Sequence, residues 1–213
     1  MLTIAGCALL AIIALTVIWQ RRRDRAARRT WARRHGWRMF VRGGDEFLSR
    51  LSNITLLQLG YDRRVEAAFS ADGPLFLLAY QCRTGFEDRR RMHRWVIAVV
   101  QVEHALGRAA FTTEVWLADA AKMLTLRPLR PTSRGLGDAA GATNGRMILV
   151  EDPGCWTDVY GRKLLGWLEK EPSRRTWELV PGYLIGYEPG RLGDDSFGDL
   201  PARARQFAAM LAK

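Results

Sequence analysis

Cysteine and histidine are both scarce in this chain, which has three of each among 213 residues. Cys7 lies in an apolar run, whereas Cys82 and Cys155 stand alone without a C-x-x-C partner. A disulfide framework or a zinc site needs paired or closely spaced ligands, so this pattern predicts neither and is typical of a reducing compartment. The histidines are equally dispersed, and we expect no metal ion and no cofactor in this protein.

Acidic residues are nearly missing from residues 21–42, where ten arginines accompany only Asp24 and produce a local charge of +9. The whole chain carries +11, so residues 43–213 contribute only +2. Nucleic-acid-binding domains usually spread basic residues over the folded surface, because they neutralise many phosphates at once. A near-neutral body with one polybasic segment therefore argues against nucleic acid as the partner.

Charged residues are absent from residues 2–19, LTIAGCALLAIIALTVIW, a run of 18 residues. As an α-helix the run would be about 27 Å long, close to the thickness of a hydrocarbon core of about 30 Å. A cleaved signal peptide would need basic residues before the run and a small-x-small site after it. Here the run ends in Ile18 and Trp19 instead, and Gln20 and then arginine follow. The pattern favours a retained, single-pass transmembrane helix over a signal peptide or a buried soluble helix.

The arginines after this run predict its orientation, since basic residues are retained on the cytoplasmic side of a membrane. We expect the N-terminus outside the cell and residues 21–213 in the cytoplasm, at the inner membrane. Trp19 and Trp31 are expected at the membrane interface, and nearby arginines are expected to bind anionic headgroups at about 1 kcal/mol each. These arginines are Arg21, Arg22, Arg23, Arg25, Arg28, Arg29, Arg33 and Arg34. A nucleic acid and the acidic surface of a partner protein are the alternative ligands of this cluster.

The remaining sequence predicts an α+β fold. A helix-favouring composition continues from residue 21 and stops at Gly36. Apolar and β-branched patterns then predict strands and hairpins, at residues 37–41, 63–82, 93–103, 109–118, 146–151 and 176–188. Helices are expected to open at Asp45, Asp152 and Asp199, with a Pro/Gly/Ser-rich loop at 127–146. Consecutive strands without intervening helices imply an antiparallel meander, so we expect a mostly antiparallel sheet covered by two or three helices.

These patterns divide the chain into three parts: a transmembrane helix (1–20), an arginine-rich juxtamembrane helix (21–36) and a cytoplasmic α+β domain (37–213). Within the domain, a second basic cluster lies at the entry to strand 93–103, beside Glu87 and Asp88. It consists of Arg89, Arg90, Arg91 and Arg94. A solvated turn with internal ion pairs is the simple interpretation. The alternative is a second contact with the bilayer or with an acidic protein partner.

Three residue sets are weak candidates for chemistry. Cys82, His93 and Asp88 together contain a nucleophile and a base, but Cys82 falls within a predicted strand without a helix N-terminus to activate it. The glycine-rich GLGDAAG at 135–141 lacks the preceding strand and following helix of a dinucleotide-binding loop. Three aspartates, at 194, 195 and 199, lack the ligand alternation of a calcium loop, and the last is better placed as a helix N-cap.

Several short motifs are similar to those of a group of membrane-anchored proteins from high-GC actinobacteria. They are Arg33-Arg34-His35-Gly36-Trp37, the FLLAY strand at 76–80, the basic turn entering HRWVIAVV at 93–100, and a C-terminal hairpin with tryptophan before the last helix. The resemblance spans most of residues 20–212. It implies a bacterial protein with an N-terminal hydrophobic segment and a following domain, and it supplies no catalytic residues.

Three functions are consistent with these features. The first is a membrane-tethered, non-catalytic domain that binds or scaffolds another protein, and the pattern favours it. The second is an enzyme with a site near Cys82, His93 and the 127–146 loop. The third is a peripheral sensor of anionic lipids, whose binding to liposomes would fall steeply with salt once the hydrophobic run is deleted.

Overall fold

The computed structural model describes most of the chain. The described backbone covers residues 2–40, 49, 51, 53–71, 73–84, 91–103, 107–129, 145–153, 158–191 and 198–212. Side chains are described over the same ranges, except those of residues 2–10 and 158–162.

The N-terminal helix α1 (Leu2–Arg34) is a single helix of 33 residues that runs from the apolar segment through the arginines. It ends at Arg34, just before Gly36, the residue predicted to stop it, whose φ of +73° is readily adopted by glycine. The Trp37 N–H donates to the carbonyl of Ala32 over 2.8 Å, and the Gly36 N–H donates to that of Arg33 over 3.3 Å. These two bonds form a Schellman motif, which satisfies carbonyls that the helix end would leave unpaired.

No helix within the described part of the chain is both long enough and apolar enough to cross a membrane. The predicted span includes residues 2–10, whose side chains lie outside the described residues. The transmembrane helix therefore stays a prediction.

One antiparallel sheet is formed by nine strands of the described residues. The strands are β1 (Arg38–Phe40), β2 (Tyr61–Ser70), β3 (Leu75–Thr84), β4 (Arg91–Gln101), β5 (Ala109–Thr112), β6 (Arg127–Pro128), β7 (Met147–Val150), β8 (Thr176–Val180) and β9 (Tyr183–Pro189). Their order is β1-β2-β3-β4-β9-β8-β5-β7-β6. The α+β class, the mostly antiparallel sheet and both predicted hairpins, β2–β3 and β8–β9, are confirmed.

The predicted meander is correct for β1 to β4 and wrong beyond it. β5 does not extend the meander but pairs with β7 and β8, while β9 takes the place beside β4. The strand predicted at 109–118 ends at Thr112, and a helix, α3 (Val115–Met123), follows. The helix forms because Leu117, Ala118 and the alanines at 120 and 121 place a buried face at helical spacing.

Helices pack on both faces of the sheet. Besides α1 and α3, they are α2 (Thr55–Gln58), α4 (Asp158–Leu168) and α5 (Leu200–Leu211). One core cluster joins Trp31 of α1, Leu168 of α4 and Phe207 of α5 to the sheet, and a second joins Leu57 of α2 and Leu117 of α3 to its other face. All residues from 95 to 100 of β4 are buried in consequence, because alternate side chains enter the two clusters.

Other sequence-based boundaries are partly revised. The helix expected from Asp152 is described from Asp158, and residues 154–157 lie outside the description. The last helix begins at Leu200 as expected, but the Asp199 side chain makes no capping hydrogen bond to it. The helix expected at Asp45 lies outside the described residues, as does most of the 127–146 loop.

Candidate functional site

A cleft of about 160 Å³ lies between α1 and the sheet. Its lining residues are Asp24, Ala27, Arg28 and Trp31 of α1, Glu66 of β2, Arg94 of β4, and Arg191 after β9. The four α1 residues follow a spacing of three, one and three, which places them on one face of a helix. The helix face that turns toward the sheet is therefore also the wall of the cleft.

Trp31 fixes this part of α1 to the domain. Its side chain is 8% exposed, and its ring meets Phe69 of β2 edge-on with 6.0 Å between centroids. The ring also stacks on His35 at 4.7 Å, and the neighbouring Ala32 is buried. The prediction that Trp31 lies at the membrane interface is wrong, because its indole is part of the protein core.

Arg28 forms the main polar contact across the cleft. Its guanidinium donates to the Glu66 carboxylate over 2.5 Å and to the Glu66 backbone carbonyl over 3.3 Å. Glu66 has no partner in the pairing of β2 with β3, since Val65 opposes Tyr80 and Ala67 opposes Ala79. An extra residue of this kind forms a β-bulge, which changes the direction of a side chain. Arg28, predicted to contact headgroups, points to the sheet instead.

Two further guanidinium groups line the cleft with fewer contacts. Nε of Arg94 lies 3.9 Å from a Glu66 carboxylate oxygen, and the Arg94 side chain is 36% exposed. The Gly190 N–H donates to the Arg94 carbonyl over 2.8 Å, which places Arg191 beside β4. Arg191 is exposed and has no hydrogen bond or ion pair with the described residues. With three guanidinium groups and two carboxylates, the cleft has a net charge of +1.

The cleft joins the two basic clusters that the sequence predicts separately. Arg28 belongs to the first cluster and Arg94 to the second. Arg91 of the second cluster is exposed at the start of β4, and residues 89 and 90 lie outside the described part of the chain. Sequence reasoning missed Glu66 and Arg191, since neither belongs to a charge run that marks it.

The other residues of the first cluster lie on the exposed surface of α1. The exposed members are Trp19, Arg21, Arg22, Arg23, Arg25, Arg29, Arg33 and Arg34. The Arg23 guanidinium lies over the Trp19 ring, 5.5 Å from its centroid, in a cation–π contact. The predicted headgroup contacts of these residues remain predictions.

The candidate nucleophile and base are adjacent but unsuited to catalysis. Cys82 of β3 stands directly opposite His93 of β4, and His93 Nε2 lies 2.7 Å from the Thr84 hydroxyl. The Cys82 side chain is buried, and burial raises the pKa of its thiol. A raised pKa disfavours the reactive thiolate, so this pair lacks the activation that a nucleophilic cysteine needs. Asp88 lies outside the described residues.

The remaining candidate residues for chemistry cannot be placed, because they lie outside the described part of the chain. The GLGDAAG segment and the aspartates at 194 and 195 lie outside the described residues. Among residues that are described, no group of three or more histidine, cysteine or acidic side chains is placed to hold a metal ion.

The structure contains a buried ionic network that the sequence did not predict. Arg175, which is 1% exposed, donates to Glu171 over 3.0 Å, to Glu188 over 3.0 Å and to Asp199 over 2.9 Å. Arg203 of α5 also pairs with Glu171. This network explains why Asp199 is not a side-chain N-cap, since its carboxylate accepts from Arg175. The network ties the ends of α4, β9 and α5 together and has a structural role.

The buried carboxyl group of Glu178 lies apart from this network, on the opposite face of the sheet. The Tyr187 hydroxyl donates to Glu178 over 2.5 Å, and the Thr55 backbone N–H donates to Glu178 over 2.9 Å. Burial raises the pKa of Glu178, and it also raises that of Tyr187. Burial therefore shifts the titration of Glu178 toward its protonated form, relative to an exposed carboxyl group.

Comparisons with known proteins add one structural similarity. No protein-family model and no curated protein matches the chain. Among solved structures, the crystal structure of the mycobacterial trehalose monomycolate transport factor A, TtfA, is similar with a TM-score of 0.46 and 12% sequence identity. The similarity covers 87% of this chain and 93% of that chain. A likeness at this level assigns neither a family nor a function to this protein.

Proposed function

We propose that this chain is a membrane-anchored, non-catalytic interaction module whose folded domain lies at the inner face of a bacterial membrane. The observation that carries the proposal is the continuity of α1. The helix begins in the uncharged run of residues 2–19, passes through the arginines and enters the core at Trp31 and Ala32. Because one end of α1 is packed in the core, an anchor at its other end holds the whole domain close to the membrane.

Distances along α1 support this arrangement. The arginines at 21–25 lie about 3–9 Å beyond Trp19 at a rise of about 1.5 Å per residue. Headgroups add roughly 5–7 Å to each side of the hydrocarbon core, so the exposed arginines at 21–23, about 3–6 Å beyond Trp19, fall at headgroup depth. Trp31 lies about 18 Å beyond Trp19 by the same measure, which leaves the sheet outside the headgroup layer.

Charge supports the same division of roles. Residues 43–213 carry only +2, so the exposed arginines of α1 are the part of the chain suited to anionic lipid. The domain is then available to bind a partner protein, and the membrane anchor sets where the two meet. The alternative of an enzyme at Cys82 and His93 is less well supported, because the Cys82 thiol is buried and its pKa is raised.

The proposal is tested by placing charge within the apolar run. Ile12 and Ile13 lie in its middle, and an arginine at the centre of a spanning helix costs about 2.5–3.5 kcal/mol. We expect full-length protein to remain in bacterial membranes after an alkaline wash, and the Ile12→Arg/Ile13→Arg variant to be released. The Ile12→Leu/Ile13→Leu variant is the matched control and should remain in the membrane.

Orientation is measured on the same proteins with C-terminal reporters. A reporter that is fluorescent in the cytoplasm should be active, and one that needs export should be inactive. Export of the C-terminal reporter would contradict the proposal, as would release of the wild-type protein by the wash. If salt alone released the wild-type protein, the peripheral lipid sensor would replace the anchored module.

A further inference from the structure

We propose that the cleft between α1 and the sheet binds a single phosphoryl group, carried either by a lipid headgroup or by a small phosphate compound. Binding of a lipid headgroup rests on the function proposed above, whereas binding of a free phosphate compound does not. The cleft unites Arg28, Arg94 and Arg191 from three separate elements of the fold. A planar guanidinium offers paired N–H donors that match the oxygens of a phosphoryl group.

The three arginines differ in how much of their donor capacity is used. Arg28 is held by two contacts with Glu66 and provides a fixed positive wall. Among the described residues, Arg94 has only the 3.9 Å approach to Glu66, and Arg191 has no polar partner. As far as the described residues are concerned, the donors of Arg94 and Arg191 are therefore available to an anion that enters from solvent.

The carboxylates of the cleft limit which anions fit. Asp24 and Glu66 reduce its net charge to +1, which matches the small negative charge of one phosphoryl group and leaves most of the charge of a polyanion uncompensated. The volume of about 160 Å³ is below the 300–1,000 Å³ that is typical of pockets for drug-sized ligands. One phosphoryl group with a small substituent suits this space, and a nucleotide or a nucleic-acid strand does not.

The position of the cleft on α1 makes both sources accessible. Asp24 lies about 7.5 Å beyond Trp19 along the helix, at the outer limit of the headgroup layer. Arg28 lies about 13.5 Å beyond Trp19, where a soluble ligand also has access. A headgroup phosphate would enter at the Asp24 end, and a free phosphate compound would enter from the cytoplasm.

The test uses full-length protein and two variants with equal loss of charge. Arg94→Gln/Arg191→Gln removes the available donors of the cleft, while Arg127→Gln/Arg205→Gln removes two exposed arginines elsewhere. Calorimetry in a neutral detergent measures binding of inorganic phosphate and of glycerol 3-phosphate. Reconstitution with phosphatidylcholine alone, or with added phosphatidylglycerol, measures lipid binding by native mass spectrometry of the released protein.

We expect the cleft variant to bind phosphate or phosphatidylglycerol at least tenfold more weakly than wild type, because it loses the charge-assisted hydrogen bonds of two guanidinium groups. The control variant should bind as wild type does, and both should melt at the wild-type temperature. Loss of phosphate and glycerol 3-phosphate binding identifies the free source, and loss confined to phosphatidylglycerol identifies the lipid.

Two results would overturn the inference. One is wild-type protein that binds none of these compounds, and the other is an equal loss of affinity in both variants. Neither result alters the outcome of the membrane fractionation described above. The proposed phosphoryl site and the proposed membrane anchor are therefore tested independently.

Discussion

Replacing Trp31 with alanine tests whether α1 is built into the domain. The Trp31 indole is 8% exposed and contacts Phe69 and Trp37. A tryptophan buries about 150–250 Å², which is worth about 4–6 kcal/mol at about 25 cal/mol per Å². This is an upper bound, because the unfolded chain already covers some of that area. Measured truncations of buried aromatic residues to alanine cost about 3–5 kcal/mol, and we expect a value in that range.

The expected loss is large enough to measure by thermal unfolding. A domain of this size loses about 2–4 °C in melting temperature for each kcal/mol, so Trp31→Ala should melt about 10 °C below wild type. Circular dichroism of the full-length protein in detergent gives the melting temperature. Hydrogen exchange of the backbone amides at 28–34 reports whether this part of the helix separates from the sheet before the domain unfolds.

Trp19→Ala is the matched control on the same helix. Trp19 is 60% exposed, so its removal should leave the melting temperature and the amide exchange at 28–34 unchanged. The reasoning is refuted if Trp31→Ala and Trp19→Ala behave alike in both measurements. In that case α1 would not be part of the core, and the proposed coupling between anchor and domain would lose its basis.

Two further substitutions test the core on each face of the sheet. A Cβ at Gly186 would lie 2.4 Å from a carbon of the buried Trp177 ring. Gly186→Ala should therefore destabilise the protein by about 1–3 kcal/mol, the typical cost of overpacking. Gly166→Ala is its control, because a Cβ there meets nothing within 4 Å and alanine favours a helix by about 1 kcal/mol. In urea unfolding, Gly186→Ala should lower the free energy of unfolding and Gly166→Ala should raise it. A change of the same sign in both variants would contradict the packing. Glu178→Gln should make the stability less dependent on pH. Burial raises the pKa of Glu178 above its ordinary value of 4.5. Ionisation of Glu178 therefore opposes folding as the pH rises above 4.5, and it lowers the free energy of unfolding by at most about 1.4 kcal/mol per pH unit. Urea midpoints measured across pH should fall more steeply for wild type than for the variant, and parallel pH profiles would show that Glu178 is not the group responsible.

The elements that the sequence predicted well are those whose signals are local. The hairpin β2–β3 follows from two β-favouring runs around a turn at residues 71–74, and β8–β9 follows from Pro181 and Gly182 in the same way. The end of α1 at Gly36 is equally local, because a glycine with positive φ closes the helix within a few residues. Each signal is a short-range preference of the backbone.

The candidate site was only partly predictable. Arg28 and Arg94 each belong to a charge cluster that is visible in the sequence, but their proximity depends on how α1 packs across β2 and β4. Glu66 joins them because a β-bulge turns its side chain, and such a bulge leaves no mark in the alternation of residues 61–70. Trp31 was misplaced because an aromatic residue near a membrane segment resembles an interface anchor as much as a core residue.

By itself the sequence determined the charge division at residue 42, the uncharged run of residues 2–19, the α+β class and the local hairpins, because composition and short-range backbone preferences encode all of these. Only the tertiary structure decided that β9 lies between β4 and β8, that Arg175 is buried among carboxylates, and that one face of α1 forms a cleft with the sheet. These features depend on contacts between residues far apart in the chain. The side chains that make such contacts have the same local patterns whether they meet or not.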